Sequence, residues 1–416
     1  MEDSAAMSPE MLLRGLDFRS GQSASYVLER RLGVQFPAQT GSPYSPNDTK
    51  LMRIHLADPD PCLWLDLSTL RLNFKVQNTN PNNVAMSLVG PPHVLFQRVR
   101  VLCKGTLVED RLTFGRECSQ MMFLRIPQRN EDDLKEVPWH LPIAQNQTAT
   151  FSYEPMLGLL QIPQMWLLHM APLTFEFEMA YTFDQACAGI NNVWRVTEPY
   201  ISADTLHLDP GFCQQYANSI MRGIPLSLEF SSQATQSFVV PQVNGTNAAE
   251  FSIAIARAFA GIRGLIITFY GQPPAPAGTA PQTLKDTNYF YYPSTVDGFE
   301  AQVLFGGKVM PVHPMRGAAA AFVNTRKALS QMKQGYMDIT YDQWQDNRFI
   351  LMLNFERGRM GNGIEASHTG LGSQGGENVV INFRGTTGTR GVSHCFVTLI
   401  HECVLSIRAD GVEMKL

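Results

Sequence analysis

The chain has 416 residues, 44% of them hydrophobic and 17% charged, with 32 Gly, 26 Pro and 24 Phe, which describes a folded, loop-rich globular protein and excludes a disordered or fibrous one. Its formal net charge of −4 argues against a general polyanion binder, which needs a basic face to displace counterions from phosphates, and leaves room only for a local basic patch. One ordinary hydrophobic core does not suffice for this length, so two packed units of roughly 150–200 residues each are expected. The apolar runs are short and broken by charge or Pro, and the start MEDSAAMSPEMLLRGLDF is acidic, so neither a membrane span nor an export signal is read. Seven cysteines, Cys62, Cys103, Cys118, Cys187, Cys213, Cys395 and Cys403, form no CxxC pair and are read as reduced thiols of a cytosolic setting. In that setting the sequons at Asn47, Asn146 and Asn244 carry no meaning.

Residues 1–48 read as an N-terminal arm. A short amphipathic piece, SPEMLLRGLDF, begins with Ser8 as cap and Pro9 at the first helical position. Arg14, Arg19, Arg30 and Arg31 are matched by Glu2, Asp3, Glu10, Asp17 and Glu29, so the arm lacks the like-charge run of a nucleic-acid-binding tail and is expected to touch protein. From about Met52 the texture changes to short apolar runs of period two. In LRLNFKV, Leu70, Leu72, Phe74 and Val76 fall on one face and Arg71, Asn73 and Lys75 on the other, which predicts a half-buried strand closed by the turn-rich QNTNPNN. Val99, Val101 and Cys103 alternate with Arg98, Arg100 and Lys104 before a turn at Gly105, and Leu173, Phe175, Phe177 and Met179 face a core that Glu176 and Glu178 avoid.

Residues 49–209 therefore read as a first sandwich, and DPGFCQQYANSIMRG, with Asp209 as cap, Pro210 at the first position and Gly223 at the stop, as a connecting helix over 210–223. A second run of strands opens at IPLSLEF and ends at CFVTLIHECVLSIRADGVEMKL, giving a second sandwich over 224–416. One Ala-rich helix, MRGAAAAFVNTRKALSQMKQG with Gly335 as stop, is expected within it. Many short strands without a strand-helix-strand rhythm predict an all-β class with a few short helices. The two runs rhyme: VAMSLVGPPHVLFQRVRVLCKG pairs loosely with AEFSIAIARAFAGIRGLIITFYG, as if one architecture were used twice.

Three stretches carry a resemblance to a known family. LFQRVRVLCKGTLVEDRLTFGRECSQMMFL resembles the first-domain strand, glycine turn and helix of double jelly-roll major capsid proteins of icosahedral double-stranded DNA viruses. GIPLSLEFSSQATQSFVVPQV looks like the opening of their second jelly roll, with Pro225 starting the strand and Pro241 after it. FVTLIHECVLSIRADGVEMKL is similar to their last strands in nucleocytoplasmic large DNA viruses and polinton-like viruses. The three lie in the right order along 50–416, while the insert GRMGNGIEASHTGLGSQGGEN departs from the large-virus proteins. The resemblance implies two tandem eight-stranded jelly rolls and a structural protein whose homotrimers, six-lobed in outline, tile a virion shell. Neighbouring capsomers, penton and minor capsid proteins are the implied partners, an internal membrane is compatible with the arrangement, and specific nucleic-acid binding is not expected. The virion capsid is the implied location, with synthesis in the host cytoplasm.

Motifs for chemistry are weak throughout. No His-x-His metal pair is present; His401 and Cys403 share a strand face with Val397, Leu399, Leu405 and Ile407, and a buried, hydrogen-bonded His401 is the reading. Asp338, Asp342 and Asp346 would align on a helix, but Thr340 and Tyr341 point to loop and strand, so they read as solvated charges. Glu109 and Asp110 read as caps of the helix that follows. GRMGNG, residues 358–363, lacks the strand-before, helix-after context of a phosphate loop, FGGKV lacks a Walker pattern, and no Gly-x-Ser-x-Gly elbow occurs. No catalytic, cofactor or metal residue is assigned, and the chain is not read as an enzyme. The alternatives are a double jelly-roll glycan-cleaving hydrolase with a carboxylate pair between the sandwiches, and a glycan-binding protein using exposed aromatics among Trp64, Trp139, Trp166, Trp194 and Trp344.

Overall fold

The computed structural model describes residues 26–125, 141–271, 290–332, 339–356, 370–386 and 392–415, apart from short breaks at 40, 42, 83, 189–190, 244–245, 248–249, 295–297, 347 and 374–377. The first eight principal strands are β1 (Val27–Pro37), β2 (Leu51–Leu56), β3 (Leu63–Asn78), β4 (Phe96–Cys103), β5 (Thr106–Arg111), β6 (Thr148–Tyr153), β7 (Leu173–Met179) and β8 (Trp194–Leu208). They form two antiparallel sheets of order β1-β8-β3-β6 and β2-β7-β4-β5. The next eight are β9 (Leu226–Val239), β10 (Glu250–Ile255), β11 (Ile262–Gly271), β12 (Glu300–Phe305), β13 (Lys308–Arg316), β14 (Leu351–Asn354), β15 (Val379–Arg384) and β16 (Val392–Ile407). Their sheets have the order β9-β16-β11-β14 and β10-β15-β12-β13, the same order with every strand moved on by eight. A last strand, β17 (Val412–Lys415), pairs with β16. This is the jelly-roll connectivity twice over, in which the edges of two facing sheets are joined by long crossings.

Period two places the cores. Leu70, Leu72, Phe74 and Val76 of β3 are at most 1% exposed, as are Val99, Val101 and Cys103 of β4 and Leu173, Phe175, Phe177 and Met179 of β7. Glu176 points away from this core yet is only 5% exposed, because Arg53 and Arg100 close over it at 2.6 and 2.8 Å. One core fills the first sandwich and a second fills the other, but Leu228, Phe230, Cys403, Leu405 and Ile407 of the second sandwich pack into the first core. The long strands β9 and β16 thus serve both.

Four helices are seen among the described residues: α1 (Phe114–Arg125), α2 (Pro210–Met221), α3 (Gly317–Met332) and α4 (Tyr341–Asp346). The Asp209 side chain accepts from the Phe212 N–H at 3.1 Å, Pro210 opens α2, and Gly223 follows it at φ +83°, as the pattern DPG…RG indicates. Gly335 lies outside the described residues, as do the arm piece SPEMLLRGLDF, the segment GRMGNG, Asn244 and Trp139.

Three expectations are corrected. Residues 27–37, assigned to the arm, form β1 and pair with β8 from Val27↔Leu208 to Pro37↔Tyr200, and Tyr44 is fully buried. Strand β1 is exposed on both faces from Val27 to Gly33, so it shows no apolar alternation and is held by its backbone ladder. The internal rhyme was set in the wrong register. The counterpart of β4–turn–β5–α1 is β12–turn–β13–α3: Lys104 and Gly105 turn the first hairpin at φ 49° and 83°, and Gly306 and Gly307 turn the second at 52° and 79°. Two positive φ values in a two-residue loop make the tight turn whose twist matches the flanking strands. Finally, residues 341–346 are helix α4, with the Thr340 carbonyl accepting from the Trp344 N–H, where loop and strand had been expected. Burial of Trp344, at 0% exposure, outweighs the strand preference of Tyr341. Asp342 and Asp346 are exposed on it, and Asp338 lies outside the described residues.

Candidate functional site

The two sandwiches meet through α1. From Phe114 to Met121 this helix is buried on all sides, although Arg116, Glu117, Ser119 and Gln120 are polar. Phe114 and Cys118 belong to the first core and Met121 to the second. Gln120 donates to Thr268 of β11 at 2.8 Å and accepts from Thr398 of β16 at 3.0 Å, while Thr398 and Thr235 of β9 lie 2.8 Å apart. The Arg116 guanidinium sits 4.2 Å from the centroid of Tyr270 and 4.6 Å from that of Phe396, both on the second sandwich.

Beside α1 lies a fully buried charge cluster. Arg111, at the end of β5, is paired with Glu109 at 3.1 Å and with Glu117, and donates to Gln233 of β9 at 2.5 Å. Burial opposes the charge on Arg111, but Glu117 and Glu109 more than offset it and hold the guanidinium protonated. Glu109 also accepts from the Gly158 and Leu159 N–H groups at 3.1 and 3.2 Å and from Ser232 at 2.9 Å, so one carboxylate joins three separate stretches of chain. Gly158 approaches β9 so closely that a Cβ there would lie 2.0 Å from the Ser231 carbonyl oxygen.

This geometry decides several sequence readings. Glu109 and Asp110 do not cap α1: Glu109 is drawn into the junction, and Asp110 accepts two bonds from Arg98 at 2.8 and 2.7 Å. The start of α1 is satisfied by the Thr113 carbonyl, which accepts from Arg116 and Glu117. The carboxylates found between the sandwiches, Glu109 and Glu117, are 0% exposed and closed off by Arg111, so no sugar reaches them. Of the five tryptophans, Trp64, Trp166, Trp194 and Trp344 are buried, so none of these four offers a ring to a glycan. His401 stacks on Phe259 at 4.1 Å between centroids and contacts the Cys403 sulfur at 3.4 Å, and burial lowers its pKa to about 4, leaving a neutral ring. The signal that sequence reading missed was the set of polar residues on α1, which no local pattern separates from a solvated helix face.

Sequence comparison finds no protein family and no curated protein that matches the chain. Structural comparison does find proteins of similar fold. The VP54 protein of PBCV-1, fitted into a reconstruction of the virophage Sputnik, superposes with a TM-score of 0.64 at 12% identity, covering 94% of this chain and 97% of that one. A quasi-atomic description of the PBCV-1 virus capsid gives 0.62 at 12% identity, over 93% and 96% of the two chains. The Faustovirus major capsid protein gives 0.58 at 7% identity, over 91% and 90%. The chain has the double jelly-roll fold. At such identities the likeness speaks for the backbone arrangement, and it spans both sandwiches together.

Outside the junction, the double jelly roll presents, among the described residues, sheet edges that pair with no further strand and exposed apolar side chains. Strand β1 is an outer edge, and beside it Tyr26, Leu28 and Leu32 are 59%, 58% and 73% exposed. Strand β13 is an outer edge of the second sandwich, with Val309 41% and Val312 78% exposed. Edges of this kind invite pairing or covering by another chain.

Proposed function

We propose that the chain is a structural capsid protein whose homotrimers build an icosahedral virion shell. The observation that carries this reading is the duplication: two sandwiches of identical strand order, welded by a buried junction, in a fold shared over nine-tenths of the chain with viral capsid proteins. Two lobes per chain and three chains about an axis give six similar lobes, and a hexagonal outline tiles a closed surface. The interior polar groups are spent on holding the two lobes in one orientation, which a tile needs, and the apolar edges at β1 and β13 face neighbouring copies. Neighbouring capsomers are the main partners, joined by penton and minor capsid proteins, with an internal membrane compatible with the arrangement. The location is the virion, after synthesis in the host cytoplasm, and the role is not enzymatic.

Negative-stain electron microscopy of the purified protein tests this directly. Six-lobed particles with three-fold symmetry are expected. Isolated two-lobed particles at every concentration would contradict the proposal.

A further inference from the structure

The connecting helix α2 meets the first sandwich through a small apolar cluster of its own, made of Cys62, Trp64, Leu167, Leu208 and Cys213. Cys62 precedes β3 and its carbonyl accepts from the Leu208 N–H at 2.9 Å, at the end of β8. Cys213 stands in the first turn of α2, and its backbone N–H bonds back to Asp209 at 3.1 Å. The Cys62–Leu208 bond sets the start of β3 beside the chain that leads into α2, and Cys62 and Cys213 lie in one cluster with Trp64, near enough for Cys62 to raise the pKa of Cys213. Aromatic rings fix the surroundings: Trp64 lies edge-on to Tyr216 at 5.3 Å, and Phe212 stacks on Tyr26 at 4.8 Å.

The pair also differs from the other cysteines in exposure. Cys62 and Cys213 are each 8% exposed, whereas Cys103, Cys118, Cys187, Cys395 and Cys403 are 1% exposed or less, inside the two cores. Two thiols of one small cluster at the edge of the fold, on segments distant in sequence, are placed so that a disulfide between them would tie α2 to the first sandwich.

We propose that Cys62 and Cys213 are a redox clip: a low-molecular-weight disulfide such as oxidised glutathione converts the two thiols to an intramolecular disulfide that fastens α2 to the first sandwich. One cysteine thiolate attacks a sulfur of oxidised glutathione and expels one glutathione thiolate. The second cysteine thiolate attacks the resulting mixed disulfide and expels the other. The two electrons given up by the cysteines reduce one glutathione disulfide to two thiols, which take up the two cysteine protons. Burial, followed by the contact with Cys62, holds Cys213 at about 11, so exchange quickens as pH rises toward that value. A chain made in a reducing cytosol and later carried outside the cell meets such an oxidant. Because α2 is the covalent link between the sandwiches, the bond would restrict the unfolded chain over the whole span of the first sandwich.

The test is peptide mapping by mass spectrometry of the full chain after equilibration with reduced and oxidised glutathione under native conditions, alkylated before digestion. The expected result is a Cys62–Cys213 linked peptide, a chain lighter by two hydrogens, the other five thiols still alkylated, and a higher thermal midpoint than the reduced protein. Cys62→Ser and Cys213→Ser should each abolish the linked peptide. All seven thiols remaining alkylated, glutathione adducts without the link, or a bond to any other cysteine would overturn the proposal. The readout is covalent, so it stands or falls separately from the capsid reading, which the particle shape in the same sample reports.

Discussion

Arg111 shows how much one side chain carries at the junction. It neutralises Glu109 and Glu117 with all three groups at most 2% exposed, and Glu109 binds partners 49 and 123 positions along the chain. Replacing Arg111 by Met leaves two buried acids without a counter-charge, and a loss of about 3–5 kcal/mol in chemical denaturation is expected. The triple variant Glu109→Gln, Arg111→Met, Glu117→Gln should recover part of that loss; an equal loss would place the cost in packing. None of this was legible in VEDRLTFGRE, where the acids stand next to a helix and capping is the local explanation. The buried histidines make a second residue-scale prediction. Burial lowers His93 from 6.5 to about 3 and His401 to about 4, so both stay neutral in the folded chain while the unfolded chain protonates them below about 6.5. The unfolded state binds more protons in that window, so stability falls as pH drops through it, by on the order of 3 kcal/mol per histidine. Urea midpoints measured from about pH 7 down to about pH 4 should show this fall, and His401→Asn should remove about half of it, leaving the part due to His93. An unchanged slope in the variant would show that His401 is not the group responsible.

Among the elements, legibility followed burial. Strands β3, β4 and β7 face a core on one side and show it as alternation, β16 is an apolar run buried on both faces over its middle, and α2 announces itself by its cap, its proline and its closing glycine. Strand β1 was missed because it contributes a backbone ladder and little side-chain burial. The repeat was recognised but misaligned, since alternating strands resemble one another, and the feature that fixes register is the pair of glycine turns followed by a helix. The missed strand changes what a truncation should do. A chain that lacks residues 1–25 keeps β1 whole and serves as the reference. Removing 1–48 strips β1 from β8 and takes Phe36 and Tyr44 out of the first core, and should cost at least about 3 kcal/mol in urea unfolding. Equal stability of the two truncated chains would contradict the role given to β1.

At the scale of the whole molecule, the two sandwiches are joined because α1, β9 and β16 contribute side chains to both cores. The sequence made the fold class and the duplication readable, whereas the junction that unites the lobes depends on contacts no local pattern encodes. If β1 and β13 face neighbouring copies, Leu32→Glu and Val312→Glu should weaken association while leaving the unfolding of the dissociated chain within about 0.5 kcal/mol of the parent. Association that survives both changes would move the interface elsewhere. The most direct test of the central claim is the mass in solution, by size-exclusion chromatography with light scattering across a range of concentrations. The account predicts a species of three times 46.4 kDa. A clean monomer of 46.4 kDa at the highest concentration would contradict it.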